Sequence, residues 1–298
     1  MAVRGRAEPG GDFVVSDVVF AGLGPQAPLP APPPGAPDRY VALVSGLSLA
    51  QPAADVLSIQ LLVDWLTGHL GAGPDQATAA GVVRLVLAGG AVGTLEALAG
   101  STTYTRQQTR AVEPLRDADA TLTELAAALP VDLMPGAADP SNTALPQQPL
   151  HACLLRGASA YESLCRVTNP HAFEVDGVRF LGTSGQNVDD VARYSRGGDR
   201  LAMAANTLRW RHVAPTAPDT LACFPYHESD PFIIETCPHV YFAGCQPEFA
   251  AGTVGGGPGG GPAVRIVLVP SFADTGVAVL VNLRTLACRP ISFASKLG

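Results

Sequence analysis

The run Pro25-Gln26-Ala27-Pro28-Leu29-Pro30-Ala31-Pro32-Pro33-Pro34-Gly35-Ala36-Pro37 constrains this chain more than any other stretch. Each proline removes a backbone donor and fixes φ, so neither a helix nor a β-ladder forms there, and the segment reads as an extended, semi-rigid linker. A boundary near residue 38 follows, dividing the chain into a short unit at 1–24, a linker at 25–38 and one large domain at 39–298. Within the short unit, Phe13-Val14-Val15-Ser16-Asp17-Val18-Val19-Phe20 is β-branched and aromatic, the signature of a strand. No partner strand is expected upstream of it.

Beyond the linker the pattern alternates. Tyr40 to Val44 is a short apolar strand ending at Ser45-Gly46, and Asp55 to Leu70 places Leu57, Leu61 and Trp65 on one face of a helix. Val82 to Ala88 is a second strand, stopping at Gly89-Gly90. Leu115, Leu122, Leu125 and Leu129 then recur at helical spacing before the strand Val131 to Met134. Buried strands alternating with amphipathic helices predict a largely parallel sheet covered on both faces.

The second half changes character. Asp176-Gly177 between two apolar runs is a strong hairpin signal, because both residues tolerate positive φ. Asp189 to His212 reads as a helix interrupted near Gly197-Gly198. Short strands follow at 239–243, 264–269, 277–283 and 291–293, and the glycine-rich Gly252 to Pro262 is expected to be a surface loop. The fold class is α/β, with two packed mixed sheets flanked by helices.

Composition removes several functions. Nineteen Lys and Arg against 26 Asp and Glu give a net charge of −7 without a basic run, so autonomous nucleic-acid binding by counterion release is excluded. A hydrophobic content of 47% rules out a disordered chain. No apolar stretch approaches the roughly 20 residues of a membrane span, and the first residues lack the apolar core of a signal peptide, so a soluble, intracellular protein is expected. Cys153, Cys165, Cys223, Cys237, Cys245 and Cys288 show no Cys-x-x-Cys pair, which predicts buried reduced thiols instead of a zinc site.

Motifs at the strand ends are weak as chemistry. Gly89-Gly90-Ala91-Val92-Gly93 lacks the leading Gly-x-Gly of a dinucleotide loop. In Gly182-Thr183-Ser184-Gly185 the serine directly precedes glycine, so the spacing of a nucleophile elbow is not met. A tight turn leading into a helix, with Asp189 and Asp190 near its positive end, accounts for those residues. The six histidines show no i, i+4 pairing.

Three long strings carry a resemblance. They are Leu145-Pro146-Gln147-Gln148-Pro149-Leu150-His151, Gly177 through Val188 (including Gly182-Thr183-Ser184-Gly185-Gln186-Asn187), and Pro215-Thr216-Ala217-Pro218-Asp219-Thr220-Leu221. Asp230-Pro231-Phe232-Ile233, Pro238-His239-Val240-Tyr241-Phe242 and the closing Val281 to Phe293 continue it in order. From about Asp12 to Phe293 the chain resembles the small (second, B-type) subunits of DNA polymerase delta.

The resemblance implies an N-terminal OB fold followed by a calcineurin-like phosphoesterase domain. Phe13 to Phe20 then corresponds to the last strand of that OB fold, making residues 1–24 a remnant of a barrel whose other strands are missing from the chain. Active phosphoesterases of this type hold two metals on carboxylates and imidazoles at strand ends. The matching positions here are Gly46 and Ser48, Gly90 and Gly93, Ala137 and Ala138, and Cys245 and Pro247. These degenerate positions imply no catalytic residue, no metal and no cofactor, with Asp139 beside Pro140 reading as a turn residue.

What the resemblance implies is a non-catalytic accessory subunit in nuclear DNA replication and repair. Its partners would be the C-terminal domain of the catalytic subunit and a third, regulatory subunit, with DNA reached only through the complex. Tyr226, Phe232, Phe242 and Phe249 are candidates for contact patches. The alternative is a residual metal-dependent phosphodiesterase or nuclease built on Asp189, Asp190, His227 and Asp230.

Overall fold

The structure, a computed structural model, describes residues 1–31, 33, 35–51, 54–94, 107–256 and 261–294. It opens on an antiparallel hairpin of β1 (Ala2–Ala7) and β2 (Phe13–Val19), with Ala2 opposite Val19 and Ala7 opposite Phe13. The expectation that β2 lacks an upstream partner is therefore corrected. Arg4, Gly5 and Arg6 hide β1 from a search for β-branched residues, but pairing needs only backbone donors and acceptors. Both strands are exposed along their whole length.

The large domain begins with β3 (Tyr40–Val44), followed by α1 (Val56–Leu66), α2 (Gly73–Ala80), β4 (Val82–Ala88), α3 (Gln107–Ala128), β5 (Val131–Met134) and β6 (Leu164–Arg166). A hairpin follows, β7 (His171–Val175) and β8 (Val178–Thr183), turned by Asp176-Gly177 as expected. Then come α4 (Gln186–Tyr194) and α5 (Arg200–Trp210), separated around Gly197-Gly198. The chain continues through β9 (Val240–Gln246), β10 (Ala250–Gly255), β11 (Ala263–Pro270), α6 (Phe272–Thr275), β12 (Val277–Asn282) and β13 (Cys288–Ser292).

These strands form two sheets. One has the order β13-β12-β3-β4-β5-β6, the other β10-β11-β9-β8-β7. In the first, β3, β4, β5 and β6 run parallel while β12 and β13 are antiparallel additions. In the second, β8, β9 and β11 are parallel, with β7 and β10 antiparallel at the edges. The sheets pack on each other through Val41, Leu43, Val86, Phe180, Phe242 and Val279. α1 and α3 cover the outer face of the first sheet, and α4 and α5 that of the second. Two packed mixed sheets flanked by helices are thus the architecture of this chain.

Three local expectations change. Asp55 caps α1 by accepting the Ser58 N–H at 3.2 Å, but the buried stripe is Ile59, Leu62, Val63 and Leu66, with Trp65 beside it, while Leu57 is 59% exposed. The i, i+3, i+4, i+7 set gives the wider apolar face that a flat sheet needs. The glycine-rich loop begins later than expected: β10 pairs Ala250 through Gly255 with β11, and residues 257–260 lie outside the described residues. Leu201 packs over Gly252, its side-chain end 2.8 Å from where a Cβ would stand. The cysteines are not uniformly buried either, since Cys153 and Cys165 are exposed. They sit at a 3₁₀ turn and on the edge strand β6, where no layer covers them.

The first residues of the linker are tied down. The Gln26 amide donates to the carbonyls of Pro238 (2.7 Å) and Ala263 (2.8 Å) and accepts the Ala263 N–H at 3.0 Å. Cys237 N–H donates to the Pro25 carbonyl at 2.8 Å, and Arg211 donates to the carbonyls of Gly22 and Leu23, both at 2.9 Å.

Candidate functional site

In open α/β sheets ligands gather beyond the carboxyl ends of parallel strands, and here the ends of β3, β4, β5, β8 and β9 converge. Five of the positions that the resemblance matches to metal ligands meet there. Gly46, Gly90 and Gly93 have φ of 64°, 66° and 87°, and the non-glycine residues Ser48 and Cys245 share that left-handed region at 52° and 50°. A non-glycine residue held this way costs on the order of 1–3 kcal/mol and persists only where its surroundings fix it. Gly46 N–H donates to the Gly89 carbonyl at 2.8 Å and Ser48 N–H to that of Gly90 at 2.9 Å. Ser45 Oγ, accepting from Cys245 N–H at 2.8 Å, ties the second sheet to the first.

The approach is close. A Cβ on Gly90 would stand 3.0 Å from Gly46 Cα and 3.3 Å from Cys245 Sγ, and one on Gly136 would stand 2.6 Å from the Gly90 nitrogen. Backbone occupies the space that ligating side chains would need. Ala137, Ala138 and Pro247 sit exposed at the rim.

One carboxylate enters this cluster. Asp139 is buried, and its Oδ2 accepts the N–H groups of Gly90 (2.7 Å) and Gly136 (2.8 Å) while its Oδ1 accepts those of Val92 (2.9 Å) and Gly93 (3.0 Å). Burial raises its carboxyl above the ordinary range against the pull of those four donors. Burial, followed by the carboxylates of Asp139 and Asp189, pushes the Cys245 thiol up to about 12, which keeps it protonated at neutral pH.

Beside Asp139 lies a neutral network that reading by motif missed. Asn169 Nδ2 lies 2.8 Å from each of Gln147 Oε1, Ser184 Oγ and Gln186 Oε1, and Gln186 Nε2 donates to Gln147 Oε1 at 2.8 Å. Gln147 Nε2 continues to the carbonyls of Gly136 (3.1 Å) and Asn142 (2.8 Å). Next to it Asn187 donates to the Val213 carbonyl at 2.7 Å and to the buried Tyr241 hydroxyl at 3.0 Å. The amides in the strings around Gln147 and Gln186 were the available signal. A satisfied buried network of this kind fixes one arrangement of the loops that carry it.

The sequence comparisons decide the family. The family model for the DNA polymerase alpha/epsilon B-subunits matches residues 41–251. The DNA polymerase delta small subunit of Oryza sativa subsp. japonica is 46% identical over 99% of this chain and 68% of its own length. That of Arabidopsis thaliana is 46% identical over 100% and 67%, and DNA polymerase delta subunit 2 of Drosophila melanogaster 41% over 98% and 67%. The chain belongs to the polymerase B-subunit family, among the delta small subunits. A solved structure of a novel archaeal phosphodiesterase superposes on 85% of this chain and 98% of its own at a TM-score of 0.43 and 11% identity, too distant to argue from.

The residues that this B-subunit presents do not fit a metal pair. Glycine and alanine offer no side-chain donor, and Cys245 alone cannot hold two ions. Among the described residues no group of three or more His, Cys, Asp or Glu side chains could hold a metal ion. Asp189, Asp190, His227 and Asp230 are not brought to one centre. Asp189 pairs with Arg200, Asp190 accepts from Thr220 Oγ1 at 2.5 Å, and Asp230 sits 2.9 Å from His212 Nε2. His227 lies exposed on the loop before β9. Of the four aromatic candidates, Phe232 and Phe242 belong to the core, Phe249 is half-buried and only Tyr226 is exposed.

Proposed function

We propose that this chain is a non-catalytic accessory subunit of a nuclear DNA polymerase delta complex, acting in replication and repair. It scaffolds the C-terminal domain of the catalytic subunit and a further regulatory subunit, and reaches DNA only through them. In this reading residues 39–298 are an inactive phosphodiesterase-like domain, 25–38 its linker, and 1–24 part of an OB-type unit. The observation that carries it is the strand-end cleft, where Gly46, Gly90 and Gly136 bring backbone against backbone and Asp139 is saturated by N–H donors. Kinship at 46% identity with proteins named as delta small subunits supports the assignment.

Two measurements test it. The full chain is co-expressed with the C-terminal domain of a delta catalytic subunit and passed over a sizing column, where co-elution is expected and separate elution overturns the scaffold role. The purified chain is assayed for bound metal and for manganese-dependent hydrolysis of bis-p-nitrophenyl phosphate. Stoichiometric metal with turnover that Asp189→Asn or Asp230→Asn abolishes would establish the phosphodiesterase alternative.

A further inference from the structure

Between α5 and β9 the chain runs from Arg211 to His239 without a helix or strand. That is far beyond the roughly 12–15 residues at which unstructured connections become uncommon and are usually functional. The stretch is nonetheless held in place. Isolated bridges join His212 to Ile233, Cys223 to Leu145 and Cys237 to Gln26, and Phe232 and Ile234 are buried in the core.

This anchored loop turns large apolar side chains outward. Phe224, Tyr226 and Ile233 are 58%, 47% and 53% exposed. The rings of Phe224 and Tyr226 meet edge to face at 4.9 Å and 67° and wall a groove of about 470 Å³, completed by Pro218, Phe232, Glu228 and Asp230. Across Pro231 a second groove of about 590 Å³ is lined by Ile233 and by the ion pair of Glu174 and Arg179. A patch of this kind on a fixed loop marks an interaction surface.

Charge defines the occupant. The loop carries Asp219, Glu228, Asp230 and Glu235 against Arg211 alone, whose guanidinium is committed to the Gly22 and Leu23 carbonyls. Partial burial raises the Asp230 carboxyl, but the Phe232 N–H and the His212 ring outweigh it and hold the group below its ordinary range. Aromatic faces beside ionised carboxylates suit a guanidinium, which stacks on the one and forks onto the other. Nucleic acid and anionic membranes are repelled by the same charges.

We propose that this loop docks an extended, arginine-bearing segment of a partner polypeptide. The arginine enters the groove of Tyr226, Glu228 and Asp230, and a neighbouring apolar residue crosses Pro231 to reach Ile233. The surface is independent of the scaffold role and is tested on the chain alone.

Random decapeptides displayed on phage are selected against the immobilised full chain, and the recovered sequences are synthesised and titrated by fluorescence anisotropy. The recovered peptides are expected to share an arginine beside an apolar residue. They should bind Tyr226→Ala and Glu228→Lys about tenfold more weakly than the unaltered chain, with affinity falling as salt rises. Both side chains are exposed, and circular dichroism checks that the variants stay folded. A selection that recovers nothing, peptides without arginine, or peptides that bind both variants undiminished overturns the proposal.

Discussion

Asp139 Oδ2 accepts the backbone N–H of Gly90 at 2.7 Å, fastening the loop after β5 to the loop after β4. The bond is one of four that the same carboxylate makes. Replacing it with Asp139→Ala strands four donors, three of which belong to the buried 90–93 turn, and each unsatisfied buried donor costs about 1–3 kcal/mol. A loss of about 3 kcal/mol or more in urea denaturation is expected, with Asp139→Asn intermediate because one carbonyl oxygen remains. Stability within about 0.5 kcal/mol of the parent in Asp139→Ala would show the contact to be incidental.

Placing a carboxylate at the strand end should not create a metal centre. Gly90→Asp must adopt a φ of 66° and push its Cβ to 3.0 Å from Gly46 Cα. Strain and overpacking together predict a loss of about 3 kcal/mol. Calorimetric titration with manganese is expected to give no heat of binding, and a 1:1 isotherm with unchanged melting temperature would contradict this.

The cysteines separate by reactivity. Cys153 and Cys165 are exposed, whereas Cys245 is half-buried and its thiol is pushed up to about 12. Brief iodoacetamide treatment of the native chain at pH 8, followed by peptide mass spectrometry, should label the first two and spare Cys245. Labelling of Cys245 at a comparable rate would mean that the cleft opens.

Acid sensitivity follows from Asp230. Its folded pKa lies below the ordinary carboxylate value of 3.8 despite partial burial, through the Phe232 N–H and His212. Its contribution is complete above that ordinary value and disappears as pH falls through the lowered one, because the unfolded chain takes up the proton first. Between neutral pH and pH 3, Asp230→Asn should therefore show a shallower decline in unfolding free energy than the parent. Parallel curves would remove Asp230 from the acid response.

The parts of the fold that depend on local sequence were legible. β3, β4 and β5 appeared as apolar runs ending near glycine, Asp176-Gly177 announced its hairpin, and Gly197-Gly198 marked the break between α4 and α5. What depends on a distant partner was not. β10, Ala250–Gly255, has too little side chain to signal a strand and exists because β11 supplies its ladder. Asp139 read as a turn residue beside Pro140, since three of its four donors come from residues some forty-six or more positions away. Gln147, Asn169, Ser184 and Gln186 lie on separate segments, and only convergence of the strand ends reveals that their side chains meet.

The anchoring of Gln26 has a mechanical consequence. Its amide clasps Pro238 and Ala263 upstream of most of the prolines, and Arg211 grips Gly22 and Leu23 just before it. A tug on the amino-terminal hairpin is thus felt first at Arg211, at the end of α5, and next at the roots of β9 and β11, before it can travel further along the chain.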